Sequence, residues 1–252
     1  MRKLVFASGV GRMVGLFAMA CAGLWLSPGA AHAGSVTLWY NGDSDGRDQL
    51  LNETGSVAGL VYDDFIVPTG DIYTITGVFS NDAMSDPAAA TTAYWEIRSG
   101  VSAGNGGTLV ASGDGADTVT ATGRSENNTD EYTNQVAASV SLSAGTYWLA
   151  VAPDVAGENT YINSTSGANA VGVPAGNDGN SFFLSTHFGF NFAAASSVEG
   201  AGTWDYSMGI IGTEAQVTAV PEASGVTLLP IAGLILLGYR HRRRIGLRTD
   251  AA

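Results

Sequence analysis

The sequence predicts an all-β fold, an antiparallel β-sandwich of jelly-roll type, framed by a cleavable N-terminal signal peptide and one short C-terminal transmembrane helix. Three observations carry this. Apolar residues in the middle of the chain alternate with a period of two, and no long stretch keeps the period of a helix. Glycine is abundant, 34 of 252 residues, and falls between short blocks of Thr, Ser, Val, Tyr and Trp. Long apolar runs and basic clusters are confined to the two ends. The chain therefore divides into 1–33, 34–219 and 220–252.

The first segment begins Met1-Arg2-Lys3 and continues as an apolar run that Arg12 interrupts and that resumes from Met13 to Leu26. Pro28-Gly29 and the small residues Ala31-His32-Ala33 follow. A positive start, an apolar stretch and an A-x-A site make a secretory signal peptide. Ala31 and Ala33 mark the cleavage site, and Gly34 becomes the mature N-terminus. A permanent membrane helix is the competing reading, and the Pro-Gly break before the A-x-A site argues against it. Lipidation at Cys21 is disfavoured by the Ala18-Met19-Ala20 lead-in and by the apolar residues after it.

Composition bounds the middle segment. Its length suits one sizeable domain. The only cysteine, Cys21, lies in the signal peptide, so neither disulfides nor thiol chemistry are expected. Of 23 Asp and Glu residues, all but Glu222 and Asp250 lie here, leaving 21 acids against Arg47, Arg98 and Arg124, a formal net of −18. Such a surface repels nucleic acid and anionic lipid.

The strands follow in order. Val61, Phe65 and Val67 share a face with Asp63. In Ile72–Ser80, Tyr73, Ile75 and Phe79 oppose Thr74 and Thr76. Val67-Pro68-Thr69-Gly70-Asp71 reads as a tight connection between these two strands. Thr108–Ser112 is a short strand bracketed by 103–107 and Gly113-Asp114-Gly115. Val136, Ala138, Val140 and Leu142 alternate with Ala137, Ser139 and Ser141, and Tyr147, Leu149 and Val151 with Thr146, Trp148 and Ala150. Between them Leu142-Ser143-Ala144-Gly145-Thr146 reads as a hairpin loop. Segments 153–180 and 193–204 read as long loops, and Tyr206–Ile211 and Glu214–Ala219 as the final strands.

At the C-terminus, Val220-Pro221-Glu222-Ala223-Ser224 precedes an apolar segment, Gly225 to Tyr239, with seven Leu or Ile residues. Arg240, His241, Arg242, Arg243 and Arg244 follow. A helix over 226–239 would rise only about 21 Å against a hydrocarbon core of about 30 Å, so spanning needs local thinning and snorkelling arginines. Arg240, Arg242, Arg243 and Arg244 form the cytoplasmic basic anchor by the positive-inside rule.

This tripartite tail resembles the PEP-CTERM sorting signal of Gram-negative bacteria. Pro221 and Glu222 match its Pro-Glu-Pro motif, while Ala223 stands at the second proline. The resemblance implies the export machinery and an exosortase-like membrane protease as partners. It also implies a transient inner-membrane anchor, then delivery to the cell surface or the exopolysaccharide matrix. An ordinary tail anchor is the alternative. The strings Leu38–Asp43, Val61–Phe65 and Gly145–Leu149 resemble those of exported proteins with such tails, which implies a β-sandwich with a surface role.

Chemistry-bearing residues are few. The string Gly42-Asp43-Ser44-Asp45-Gly46 fits G-x-S-x-G, but no clear helix follows it and two aspartates flank the serine, against a nucleophile. His187, the single histidine of the middle segment, sits among Phe182, Phe183, Phe188, Phe190 and Phe192 and reads as a packed or edge residue. No histidine cluster suits zinc, and no lysine serves a phosphate loop. Asn41, Asp43 and Asp45, with Gly46 sixth, fit the first half of a calcium loop. The twelfth position is Asn52, however, with the acid one residue late at Glu53. A polar Asp-Gly turn is therefore preferred to a calcium site, and no other cofactor is expected. Carboxylate pairs abound, and the sequence cannot select a catalytic one. Trp39, Trp95, Trp148 and Trp204 could stack on sugars but more often fill a core, and Trp148, opposite its apolar neighbours, faces either solvent or the second layer of a larger core. The leading expectation is a non-catalytic surface or matrix protein. The second is a carbohydrate-binding module acting on exopolysaccharide, and the third a secreted hydrolase.

Overall fold

The computed structural model describes residues 34–217 except 56, 156–158, 175 and 177. The signal peptide, the Pro221-Glu222-Ala223 motif and the basic anchor lie outside the described residues. Among those described, no helix is long and apolar enough to cross a membrane.

The described chain is all-β and antiparallel. Its strands are β1 (Val36–Tyr40), β2 (Ser44–Leu51), β3 (Leu60–Ala83), β4 (Thr92–Ser99), β5 (Thr108–Ala116), β6 (Thr118–Glu126), β7 (Thr129–Asp154), β8 (Tyr161–Thr165), β9 (Phe182–Ser185), β10 (Phe190–Ala194), β11 (Asp205–Tyr206) and β12 (Met208–Gln216). One short helix, α1 (Ala195–Val198), and a 3-10 turn at Pro87–Ala89 complete it.

Two long strands organise everything. β3 and β7 pair antiparallel along nearly their whole length, with a break in register between Val67 and Ile72. There Pro68, which has no N–H to give a ladder, and Gly70, at φ +93°, bend β3 opposite Ser143–Gly145 of β7. The twelve strands form one branched hydrogen-bonded sheet, and the two halves of this bent pair carry different neighbours. The first halves of β3 and the last of β7 lie in the order β10-β9-β3-β7-β4-β5. The other halves lie in β1-β12-β3-β7-β6. The β8 strand continues the second set past Asp82–Ala83 and carries β2 and β11.

This arrangement corrects the sequence reading in several places. The 67–71 and 142–146 segments are bends inside continuous strands, not connections, because the blocks they separate pair with the partner long strand and not with each other. Gly113-Asp114-Gly115 lies within β5, paired to β4. The 153–180 segment contains β8, and 193–204 contains α1. The two final strands are one, β12, kept on register with β3 by a single irregularity at Ile211/Gly212.

The core lies between the two sets of strands. Trp39 of β1 packs on Phe65 of β3, ring centroids 5.5 Å apart, and around them close Val61, Ile75, Val78, Ile97, Leu149, Val151 and Ile210. Tyr73 and Ile75 face inward as their alternation requires. A register irregularity between Ile75 and Gly77 then shifts the phase, so Val78 enters the core and Phe79 turns outward. Trp148, out of phase with Leu149, is also buried. It packs with Tyr62, Ala150, Phe182 and Phe192 in a second apolar layer that the β9–β10 hairpin and the 101–107 loop cover.

Candidate functional site

A cleft of about 370 Å³ opens on the outer face of the second set of strands, lined by Thr37, Tyr40, Asp43, Phe79, Asn81, Thr122, Arg124, Thr133 and Val171. Sheet register builds it. Tyr40 pairs with Gly209, and Gly209 with Phe79. With no side chain at Gly209, the two flanking rings meet across it, 5.6 Å apart and tilted by 42°. A Cβ at that position would lie 2.5 Å from the Phe79 ring and 2.6 Å from the Trp39 carbonyl oxygen. Two residues along β3, Asn81 pairs with Thr133 of β7 and accepts its hydroxyl at 2.7 Å.

Arg124 enters from β6. Its strand turns into β7 through Asn127-Asn128, both at positive φ, the geometry of a type I′ hairpin. The guanidinium bridges two acids. Its Nε and Nη2 reach Glu131 Oε1 at 2.7 and 2.5 Å, and Nη1 reaches Asp43 Oδ1 at 2.9 Å. Asp43 also accepts the Tyr40 hydroxyl (2.7 Å) and the Asn169 amide (2.8 Å). Burial works to raise its carboxyl. The Tyr40 and Asn169 hydrogen bonds and the Arg124 charge outweigh that and hold it below the ordinary range. Burial pushes the Tyr40 phenol up, so Tyr40 stays a neutral donor. The buried Glu131 is completed by Asn163 Nδ2 at 2.6 Å.

The residues singled out from the sequence are dispersed. Asn41 turns into the core and donates to Asp63 Oδ2 at 2.8 Å, which also accepts the Tyr206 amide at 2.6 Å. Asp43 faces the cleft. Asp45 binds Arg47 (2.6 Å) and the Ser164 hydroxyl (2.7 Å). The three proposed calcium ligands therefore hold three separate sets of protein donors, and no group of three acid, His or Cys side chains among the described residues is placed to hold a metal ion. Ser44 opens a strand, not a helix, and its hydroxyl donates to Glu126. His187 is exposed in the β9–β10 turn, edge-on to Phe188. Trp39, Trp95 and Trp148 are buried, and Trp204 is half-buried beneath the Arg47 guanidinium.

Other acids form buried clusters. Burial, then the charge of Asp205, pushes the Asp63 carboxyl well above the usual range. Asp82 is fully buried, and its oxygens accept from Asn52 (2.9 Å), Asn134 (2.8 Å) and Ser80 (2.5 Å). Burial nonetheless raises it to about 6, those hydrogen bonds offsetting part of the effect. Burial and then the charge of Asp82 raise Asp117 to about 7.

Arg124, Phe79 and Thr37 were not legible as site residues. The Asn127-Asn128 pair beside Arg124 was the available signal, since it is a hairpin turn that returns the arginine to the sheet. Comparison with known protein families and with curated proteins finds no match to the chain. The fold and cleft define an acidic, all-β antiparallel domain with a paired arginine beside two aromatic rings.

Proposed function

We propose that the chain is an exported, non-catalytic surface or matrix protein whose 34–219 domain is a jelly-roll-like sandwich, delivered by an exosortase-type system. The observation that carries this is the tripartite end of the chain: Pro221-Glu222, the apolar 225–239 segment and the arginines from 240 to 244. Two features of the domain support it. The exposed positions of its long strands carry small polar side chains, such as Thr74, Thr76, Ser139 and Ser141. The residues best suited to chemistry are engaged internally, Ser44 with Glu126 and Glu96 with Tyr62, Tyr94 and Arg98.

The test is Glu222→Ala. Export should persist, and the protein should accumulate as an unprocessed membrane form, seen by fractionation and a gel shift. Neutral residues at Arg242, Arg243 and Arg244 should instead let the tail slip through, releasing uncut protein. Normal maturation of the Glu222 variant would replace the sorting reading with a plain tail anchor.

A second reading, a carbohydrate-binding module acting on exopolysaccharide, is favoured by the Tyr40–Phe79 cleft. A hydrolase would place a raised carboxyl there to act as the acid. The cleft carboxyl, Asp43, is pushed down and serves as an acceptor.

A further inference from the structure

We infer that the Tyr40–Phe79–Arg124 cleft is a binding site for an uncharged sugar unit of a glycan, and that it discriminates against uronate, sulfate and phosphate groups; this deepens the carbohydrate-binding reading above. The cleft, about 370 Å³, lies at the small end of the range of ligand sites and combines an apolar surface with a few fixed polar groups. A pyranose has that same duality, with C–H bonds across one face and hydroxyls around its rim. The half-buried Phe79 ring offers the apolar surface, seated over Gly209 and against the Tyr40 ring.

The polar rim is preorganised. Arg124 has five N–H donors. Nε, one N–H of Nη1 and one of Nη2 are committed to Asp43 and Glu131, so the guanidinium that lines the cleft carries two N–H groups beyond those three. Asp43, kept ionised, supplies acceptor lone pairs beside them. The Thr133 hydroxyl donates its hydrogen bond to Asn81 Oδ1 and retains lone pairs, and Thr37, also in the lining, is exposed. Donors and acceptors side by side suit vicinal hydroxyls, each of which both gives and takes a hydrogen bond. These groups are already held by one another, so ligand binding orders little more of the protein.

Charge sets the selectivity. The site's one cation is flanked by Asp43 and Glu131, a local net of −1, within a domain that carries 21 acids and three arginines. An anionic glycan would meet repulsion locally and at long range.

The experiment uses the full chain, purified in a zwitterionic detergent that lacks a sugar headgroup. It is applied to a printed array of neutral and uronate-bearing glycans, and the best neutral oligosaccharide is then titrated calorimetrically. Saturable binding of a neutral glycan is expected, with oligogalacturonate at least tenfold weaker. Thr37→Trp should fill the mouth without touching the Arg124 network and weaken binding at least tenfold, with the melting temperature unchanged. Phe79→Leu should weaken it likewise by removing the ring. Neutral-glycan binding that survives Thr37→Trp and Phe79→Leu would overturn the assignment of the site while leaving the carbohydrate reading standing. Absence of binding to every glycan on the array would overturn both, and stronger binding of the uronate polymer would overturn the selectivity.

Discussion

The buried acids make stability depend on pH in a direction opposite to that of a domain held by ion pairs. Asp82 carries the clearest case, because it is fully buried and its carboxyl is raised to about 6. An aspartate in the unfolded chain titrates near 3.9. Between those values the folded state binds the proton and the unfolded state does not. The stabilisation is therefore complete below the unfolded value and is lost as pH rises through the folded one. Working the linkage between pH 5 and pH 8, Asp82 alone withdraws about 1–2 kcal/mol. For a domain of this size that is about 3–6 °C in melting temperature. Asp64, Asp117 and Asp205, raised to about 7, 7 and 6 with burial as the first cause in each, act in the same sense. Growing self-repulsion of the 21 acids adds to it. Asp43, held low, works the other way, but its stability is lost only as pH falls below the ordinary carboxylate range, outside this window. Thermal unfolding of the full chain in detergent, followed by circular dichroism at pH 5 and pH 8 and constant ionic strength, should show the higher melting temperature at pH 5. Asp82→Asn should reduce the difference by about 3–6 °C. That variant should still pack, because Asn134, whose Oδ1 has no partner among the described residues, can turn over to accept the new amide. A higher melting temperature at pH 8, or an unreduced pH slope in Asp82→Asn, would refute the reasoning.

Gly209→Ala should cost about 1–3 kcal/mol in urea unfolding, since its methyl would collide with the Phe79 ring and the Trp39 carbonyl; an unchanged midpoint would mean the rings are not packed across the glycine. Trp148→Ala should cost about 3–5 kcal/mol by emptying the second apolar layer, whereas a loss under about 1 kcal/mol is what an exposed strand position would give. Millimolar calcium should shift the melting temperature of the parent and of Asp45→Ala equally, by screening, because Asp43 and Asp45 already hold separate protein donors. A shift abolished by Asp45→Ala would establish a cation loop there.

The all-β class and the antiparallel pairing were legible because period-two alternation survives wherever one strand face meets the core. Tyr73, Ile75, Val136, Leu142, Leu149 and Val151 are all buried as their phase requires. Length and connection were not legible. Pro68, Gly70 and Gly145 carry the composition of turns, and a bend inside a long strand uses the same residues for the same dihedral reasons, so only the pairing partner distinguishes the two. The phase error at Phe79 has one cause, the irregularity after Ile75, which moves every later side chain to the opposite face. Trp148 was the reverse case. Its phase was read correctly, but burial on both faces of a strand depends on a distant hairpin, here β9–β10, that contributes nothing to local pattern. The cleft was illegible for a related reason, since Tyr40, Phe79, Arg124 and Val171 come from four separated segments joined by register, by the Tyr40–Val171 bridge and by side-chain contacts such as Arg124–Asp43.

The abundance of Asn, Ser and Thr beside so many acids acquires a structural meaning from these contacts. The three arginines of the described residues are each committed, Arg47 to Asp45, Arg98 to Glu96, and Arg124 to Asp43 and Glu131. Cations thus answer only a few carboxyls, among them the buried Glu96 and Glu131, and several other inner acids rest on neutral donors. Asp82 has Asn52, Asn134 and Ser80, Asp63 has Asn41 and the Tyr206 amide, and Asp205 has the Gly179 amide. Amide and hydroxyl donors satisfy a carboxyl in either protonation state more evenly than an arginine does, since they add no charge whose loss of a partner would be costly. A domain so built can keep a strongly anionic surface without an equal number of cations. The polar contacts that hold the acids in the core recur at the Arg124 cleft, where the half-buried Asp43 accepts from Tyr40, Asn169 and Arg124.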